Sequence, residues 1–172
     1  MSQKKRLNKM QRGREREREK QARLEERKGG FKCTHCRGWV PPSEFIGTKH
    51  RNHCPSCLWS KHVDLEEPGD RKSTCQAGMR PIGLTFKQEG IDRYGSQRQG
   101  ELMVIHWCTN ANCGKISINR IAGDDNPETI LRVFEESQAL DPNLKKVLNN
   151  DNIRLLNTRD GEKQIRTQLF GK

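Results

Sequence analysis

Two Cys-x2-Cys pairs lie 17 residues apart. Three short segments of alternating apolar residues follow, and the N-terminus is crowded with cations. Together they predict a small, mainly β, zinc-ribbon-like domain, α+β overall, with a basic, flexible or helical N-terminal arm and a short helical C-terminal tail. The 172 residues are 31% hydrophobic and 32% charged. That is too polar for one large core along the whole length, so part of the chain is expected to be solvated. No run of ~18 apolar residues exists, which excludes a membrane-spanning helix. Met1 to Arg6 are basic and lead into no apolar run, so no secretory signal is expected.

The arm comprises residues 1–30. It holds 12 Lys/Arg and 5 Glu, a net of +7, against +4 for the other 142 residues. Its natural partner is a polyanion. Glu15–Arg18 and Glu19–Arg23 sit at helical spacing. Leu7, Met10, Ala22 and Leu24 form no apolar stripe, so such a helix would be marginal alone, and Gly29-Gly30 ends it.

Residues 31–126 hold every cysteine, histidine and tryptophan and are read as the folded unit. Ile82, Leu84 and Phe86 alternate with smaller or polar residues. Leu102, Val104, His106 and Cys108 form one face of a second strand, and Met103, Ile105 and Trp107 the other. Lys115 to Ile121 is a third. A three-stranded antiparallel sheet is expected, with Glu89 to Gly100 as a polar loop between the first two strands.

Residues 127–172 read as a helical extension. Asn126-Pro127-Glu128 carries an N-cap, proline at the first helical position and an acid in the first turn. Asp141-Pro142 repeats the signal. Asp160-Gly161 reads as a turn, and Ile153 to Phe170 shows no clear period.

Cys33, Cys36, Cys54 and Cys57 have the spacing of a four-thiolate zinc site, in which two tight turns aim four sulfurs at one tetrahedral ion. Cys75 precedes the first strand, Cys108 ends the second and Cys113 opens the third. An antiparallel sheet brings these points to one edge, so a second zinc is expected there. Its fourth ligand is either His106, two residues from Cys108, or His62, which Asp64 follows as an acceptor for the other ring nitrogen. His53 is expected to orient the Cys54 turn, and His35 and His50 to face solvent. Seven cysteines, an odd number, suit metal ligation in a reducing compartment better than disulfides, and the expected location is cytoplasmic.

Arg51-Asn52-His53-Cys54-Pro55 spells the motif that names the RNHCP-domain proteins. The likeness continues through Cys57-Leu58-Trp59-Ser60, His62-Val63-Asp64, Pro68-Gly69-Asp70-Arg71, Cys75, Met79-Arg80-Pro81-Ile82, His106, Cys108, Cys113 and Asn119-Arg120-Ile121-Ala122-Gly123-Asp124-Asp125-Asn126. Residues 31–126 thus resemble that family. The resemblance implies a small zinc-binding domain without a settled biochemical activity. The chain departs from the family in the four residues between Cys108 and Cys113, where two are usual, and in its arm and tail.

The functional reading is a non-enzymatic zinc protein that binds nucleic acid, RNA or the ribosome. Candidate contacts are Lys4, Lys5, Arg6, Arg12, Arg14, Arg16 and Arg18 in the arm. Around the first zinc stand Arg37, Lys49, Arg51 and Lys61, with Trp39 interleaved. Trp59 reads as a core residue. Arg51 and Asn52 would either bind phosphate or bridge loops. Asp124 and Asp125 suit a helix start better than a metal or phosphate site. The alternative is a protein-interaction module docking through Ile130, Phe134, Leu144 and Val147. A metal-dependent hydrolase built on His62, Asp64, Asp124 and Asp125 is disfavoured, because thiolates fill nearly all the expected coordination positions. No small-molecule substrate is evident.

Overall fold

The computed structural model describes residues 12–14, 16, 17, 20, 30–42, 51–67, 69–91, 93–95 and 97–171. Residues 12–14, 16, 17 and 20 of the arm are helical and exposed. Among the described residues, six strands and three helices follow. They are β1 (Phe31–Lys32), β2 (Trp39–Val40), β3 (Ser60–Lys61), β4 (Gly78–Ile91), β5 (Gln97–Cys108) and β6 (Ile116–Arg120), then α1 (Pro127–Gln138), α2 (Pro142–Asn150) and α3 (Arg159–Phe170).

β1 and β2 pair only with each other, as a two-stranded sheet. The other four form one antiparallel sheet in the order β3-β4-β5-β6. Its centre is the expected meander, widened by the short β3. Gly83 opposes Ile105, which opposes Ile118, and Leu84 opposes Val104. Pro81 has no N–H for the ladder, and the register shifts between Pro81 and Gly83.

The expected loop from Glu89 to Gly100 is instead mostly paired backbone. β4 runs on to Ile91 and β5 starts at Gln97, with Gln88 opposite Gln99. Hydrogen bonding carries the hairpin past the core with no apolar period, and its Ile91 is 70% exposed, so hydrophobic alternation could not mark it. Gly90 (φ 76°) and Gly95 (φ 83°) supply the left-handed backbone near its tip.

Successive side chains of β5 point to opposite faces. Leu102 and Val104 join Leu58, Leu84, Ile130, Val133, Phe134, Leu156 and Ile165 in the main core. Ile105 joins Ile82 and Leu148 in a second cluster, with Trp107, Ile116 and Leu155 against it. Gly83 leaves the room that Leu155 fills: a Cβ there would lie 2.4 Å from Leu155 Cδ1. Residues 127–171 therefore share their core with the sheet. Ile130 (0% exposed) and Phe134 (6%) are core residues, which removes them from any docking face. Val147 is exposed and Leu144 half-buried.

Both helix starts are as expected. Asn126 accepts from Thr129 N, and Asp141 accepts from the amides of Asn143 and Leu144. The Asp160-Gly161 turn is not formed. Thr158 caps α3 by accepting from Gly161 N, and Asp160 and Glu162 sit in its first turn, where carboxylates suit the helix dipole. Gly161 is buried beside Leu156, a tertiary contact invisible to local patterning. Gln168 of α3 donates to Gly100 O and accepts from Leu102 N, pinning the helix to β5. Among the described residues, no helix is long and apolar enough to cross a membrane.

Candidate metal centres

Cys33 and Cys36 stand on the turn between β1 and β2, and Cys54 and Cys57 on the turn before β3. Each pair closes a similar loop. Arg37 N donates to Cys33 O, and Leu58 N donates to Cys54 O. The residue after each second cysteine takes a left-handed backbone: Arg37 (φ 65°) and Leu58 (φ 60°). Gln76 after Cys75 (φ 52°) and Gly114 after Cys113 (φ 62°) do the same. This bend turns amides toward the sulfurs. Gly38 N–H pulls the Cys36 thiol below its ordinary value.

The Cys33–Cys57 and Cys36–Cys54 sulfurs are each 3.6 Å apart, and all four lie within 4.8 Å of one another. A disulfide would need about 2.05 Å. Tetrahedral Zn²⁺ with Zn–S near 2.3 Å sets its sulfurs about 3.8 Å apart, which these spacings approach.

The second group is His62, Cys75, Cys108 and Cys113, also within 4.8 Å of one another. Cys75 and Cys108 sulfurs are 3.7 Å apart, and Cys113 Sγ is 3.3 Å from His62 Nδ1. The sheet assembles it. His62 N donates to Ala77 O beside β4, Thr109 N to Gly78 O and Cys108 N to Lys115 O. The longer Cys108–Cys113 loop closes through Cys113 N to Asn110 O, and Asn110 Nδ2 donates to Cys75 Sγ at 3.4 Å. The Ala77 amide, followed by Asn110, brings the Cys75 thiol down to about 6. Burial instead pushes Cys108 up to about 11 and also raises Cys54 and Cys57. A bound cation supplies the charge stabilisation that burial removes. Two clusters that could each bind a zinc ion are therefore present.

His106 is not part of either cluster. It is fully buried, its Nε2 donates to Leu58 O at 2.6 Å, and its Nδ1 lies 2.9 Å from Asn119 Nδ2. Burial, then the neighbouring His53, holds it down to about 3, so it is neutral and both nitrogens are engaged. It shares a strand face with Cys108 but points inward beneath the Cys54–Cys57 turn. His62 takes the ligand position through Nδ1. Asp64 does not support it: its Oδ1 accepts from Arg71 N.

A family model described as the RNHCP domain matches residues 28–131. The chain belongs to the RNHCP-domain family. No curated protein matches it, and no solved structure does.

The RNHCP motif is a strap between the first cluster and the start of α1. Arg51 donates to Asp124 Oδ2 at 2.7 Å, Asp124 Oδ1 at 2.6 Å and Asp125 Oδ1 at 3.0 Å, with its side chain 5% exposed. Asn52 Nδ2 donates to Asn119 Oδ1, and its carbonyl accepts from Ser60 Oγ. His53 Nε2 donates to Asp125 Oδ2 at 2.7 Å, which also accepts from Ala122 N at 2.8 Å. Cys54 belongs to the first cluster. Pro55 O accepts from Asn126 N and Ser56 O from Thr129 Oγ1. A buried carboxylate satisfied in this way fixes the loops around it.

Arg51 is thus withdrawn from the phosphate-binding candidates: its charge is spent on two internal carboxylates. The same pairs remove Asp124 and Asp125 from metal or phosphate chemistry. Arg12, Arg14, Arg16, Arg37 and Lys61 are exposed, and Trp39 is 42% exposed. Lys4, Lys5, Arg6, Arg18, Lys49 and His50 lie outside the described residues. His35 is exposed and stacks on half-buried Trp59, ring centroids 4.1 Å apart. Arg51 instead bridges loops, the other role its sequence left open; its partners Asp124 and Asp125, 73 and 74 residues on, were not foreseen, and two adjacent acids in the later motif were their only signal.

Proposed function

We propose that this RNHCP domain is a zinc-ribbon-like binding protein of the cytoplasm. Its two zinc ions would be structural, and it would bind RNA or the ribosome through its basic arm. The observation that carries the reading is the contrast between the two parts of the chain. Each cluster gathers four protein donors, enough to fill a tetrahedral ion and leave no position for a substrate or water. The cations meanwhile concentrate in the first 30 residues, at a net of +7. Such a segment neutralises phosphates without reading bases. Exposed Arg37, Lys61 and Trp39 add cations and one stacking surface near the first centre.

The test is fluorescence anisotropy of a labelled single-stranded RNA against the zinc-loaded chain. If about six cations each neutralise one phosphate, affinity falls on the order of 300-fold between ~50 and ~200 mM salt. Replacing Lys4, Lys5, Arg6, Arg12, Arg14 and Arg16 by glutamine should flatten that slope. Affinity that ignores salt, or survives those replacements, refutes the reading. A protein-interaction role is favoured by one observation, the exposure of Val147 (40%) and Phe170 (48%) on α2 and α3. A stoichiometric protein partner retained after nuclease treatment would move the assignment there.

A further inference from the structure

The segments that carry the metal donors are not equally built into the body. The Cys54–Cys57 knuckle is stitched to it by backbone carbonyls: Pro55 O to Asn126 N, Ser56 O to Thr129 Oγ1 and Leu58 O to His106 Nε2. Both halves of the second cluster are tied to the sheet through His62 N, Thr109 N and Cys108 N. Residues 30–42 differ. Among the described residues, every hydrogen bond of this segment that does not involve sulfur closes within it: the β1–β2 ladder, Cys33 N to Gly38 O and Arg37 N to Cys33 O. Among the described residues, what joins it to the body is the sulfur cluster, a small apolar group of Phe31 and Val40 with Trp59, and the His35–Trp59 stack. That apolar group is separate from the main core.

We propose that the first metal centre is a releasable latch. Its zinc ties residues 30–42, and with them the basic segment that precedes them, to a body that stays folded around the second centre. Metal binding at thiolates is a folding free energy for whatever the metal alone holds in place. For the first centre that is one knuckle. For the second it is the junction of all four strands of the larger sheet. A fall in free zinc, or a chelator, would therefore free the arm-bearing knuckle first and leave the sheet intact. That release alters nucleic-acid binding rests on the function proposed above; the latch itself does not.

The test compares the zinc-loaded full chain with Cys33→Ser/Cys36→Ser by native mass spectrometry and hydrogen exchange. The variant should hold one zinc instead of two. Exchange over residues 31–40 should quicken by about tenfold or more, while residues 79–86 and 102–108 change by less than about twofold. Chelator titration of the unmodified chain should reach the same one-zinc state before the zinc-free one. A variant whose sheet peptides exchange as fast as residues 31–40, or a titration in which both zincs leave together, overturns the latch. A labelled single-stranded RNA added to both states separates the two ideas. Affinity that differs between them extends the latch to the arm. Absence of binding in either state removes the nucleic-acid reading and leaves the exchange result to decide the latch.

Discussion

Asp125→Ala is the substitution that most directly probes the RNHCP strap. The side chain is fully buried and accepts from three donors, Arg51 at 3.0 Å, His53 Nε2 at 2.7 Å and Ala122 N at 2.8 Å. Alanine leaves the Ala122 amide and the His53 ring unpaired, at roughly 1–3 kcal/mol for each buried donor. Arg51 keeps Asp124, so its charge is not stranded. The sum, about 2–6 kcal/mol, brackets the ~3–5 kcal/mol usually lost when one partner leaves a buried charge pair. A domain of this size has roughly 5–15 kcal/mol in total. Urea unfolding at one fixed free-zinc concentration measures the change. With a slope of about 1.5 kcal/mol per molar, the midpoint should fall by about 1.5–4 M. Asp124→Asn is the control. Asp124 is 44% exposed, so its ion pair is worth about 1 kcal/mol or less. Asp125→Ala within about 1 kcal/mol of the unmodified protein would refute the reasoning, because two unpaired buried donors together cost at least about 2 kcal/mol.

Other outcomes follow from the same geometry. His62→Ala should lower the zinc count to one or weaken the second site by at least about tenfold, whereas His106→Ala should keep both zincs and lose stability; metal analysis of the two variants decides which ring is the ligand. The stability gap between the unmodified chain and Asp124→Asn also has a defined pH window. Arg51 holds the Asp124 carboxyl below its ordinary value, so the contribution is complete above the unfolded carboxyl's pKa of about 3.9 and is lost as pH falls through the depressed value. The gap should be flat from pH ~7 to ~5 at equal zinc occupancy; one that narrows in that interval would assign it to an imidazole.

The legible parts of the structure were those fixed by local chemistry. Cysteine spacing marked the first cluster, alternation marked the centres of β4 and β5, and a short isoleucine-rich run marked β6. Proline after a capping residue marked α1 and α2. What escaped depends on distant partners. Nothing near His106 reveals that Leu58 O and Asn119 occupy its nitrogens, so a ligand two residues from Cys108 looked as good as His62. The outer half of the β4–β5 hairpin has no apolar period, because its pairing needs only backbone. α3 hides behind Gly161, whose helical placement rests on Thr158 and on packing against Leu156. Arg51 has the look of a phosphate ligand until its two carboxylates arrive from 73 and 74 residues away.

We propose that the two donor groups, one of four sulfurs and one of three sulfurs and a nitrogen, hold two closed tetrahedral zinc centres. Zinc X-ray absorption on the loaded protein, together with metal counting, tests it most directly. The account predicts two zincs per chain and, over the pair, seven sulfur ligands near ~2.3 Å and one nitrogen near ~2.0 Å. A single zinc per chain, or an oxygen ligand from water on either ion, would contradict it.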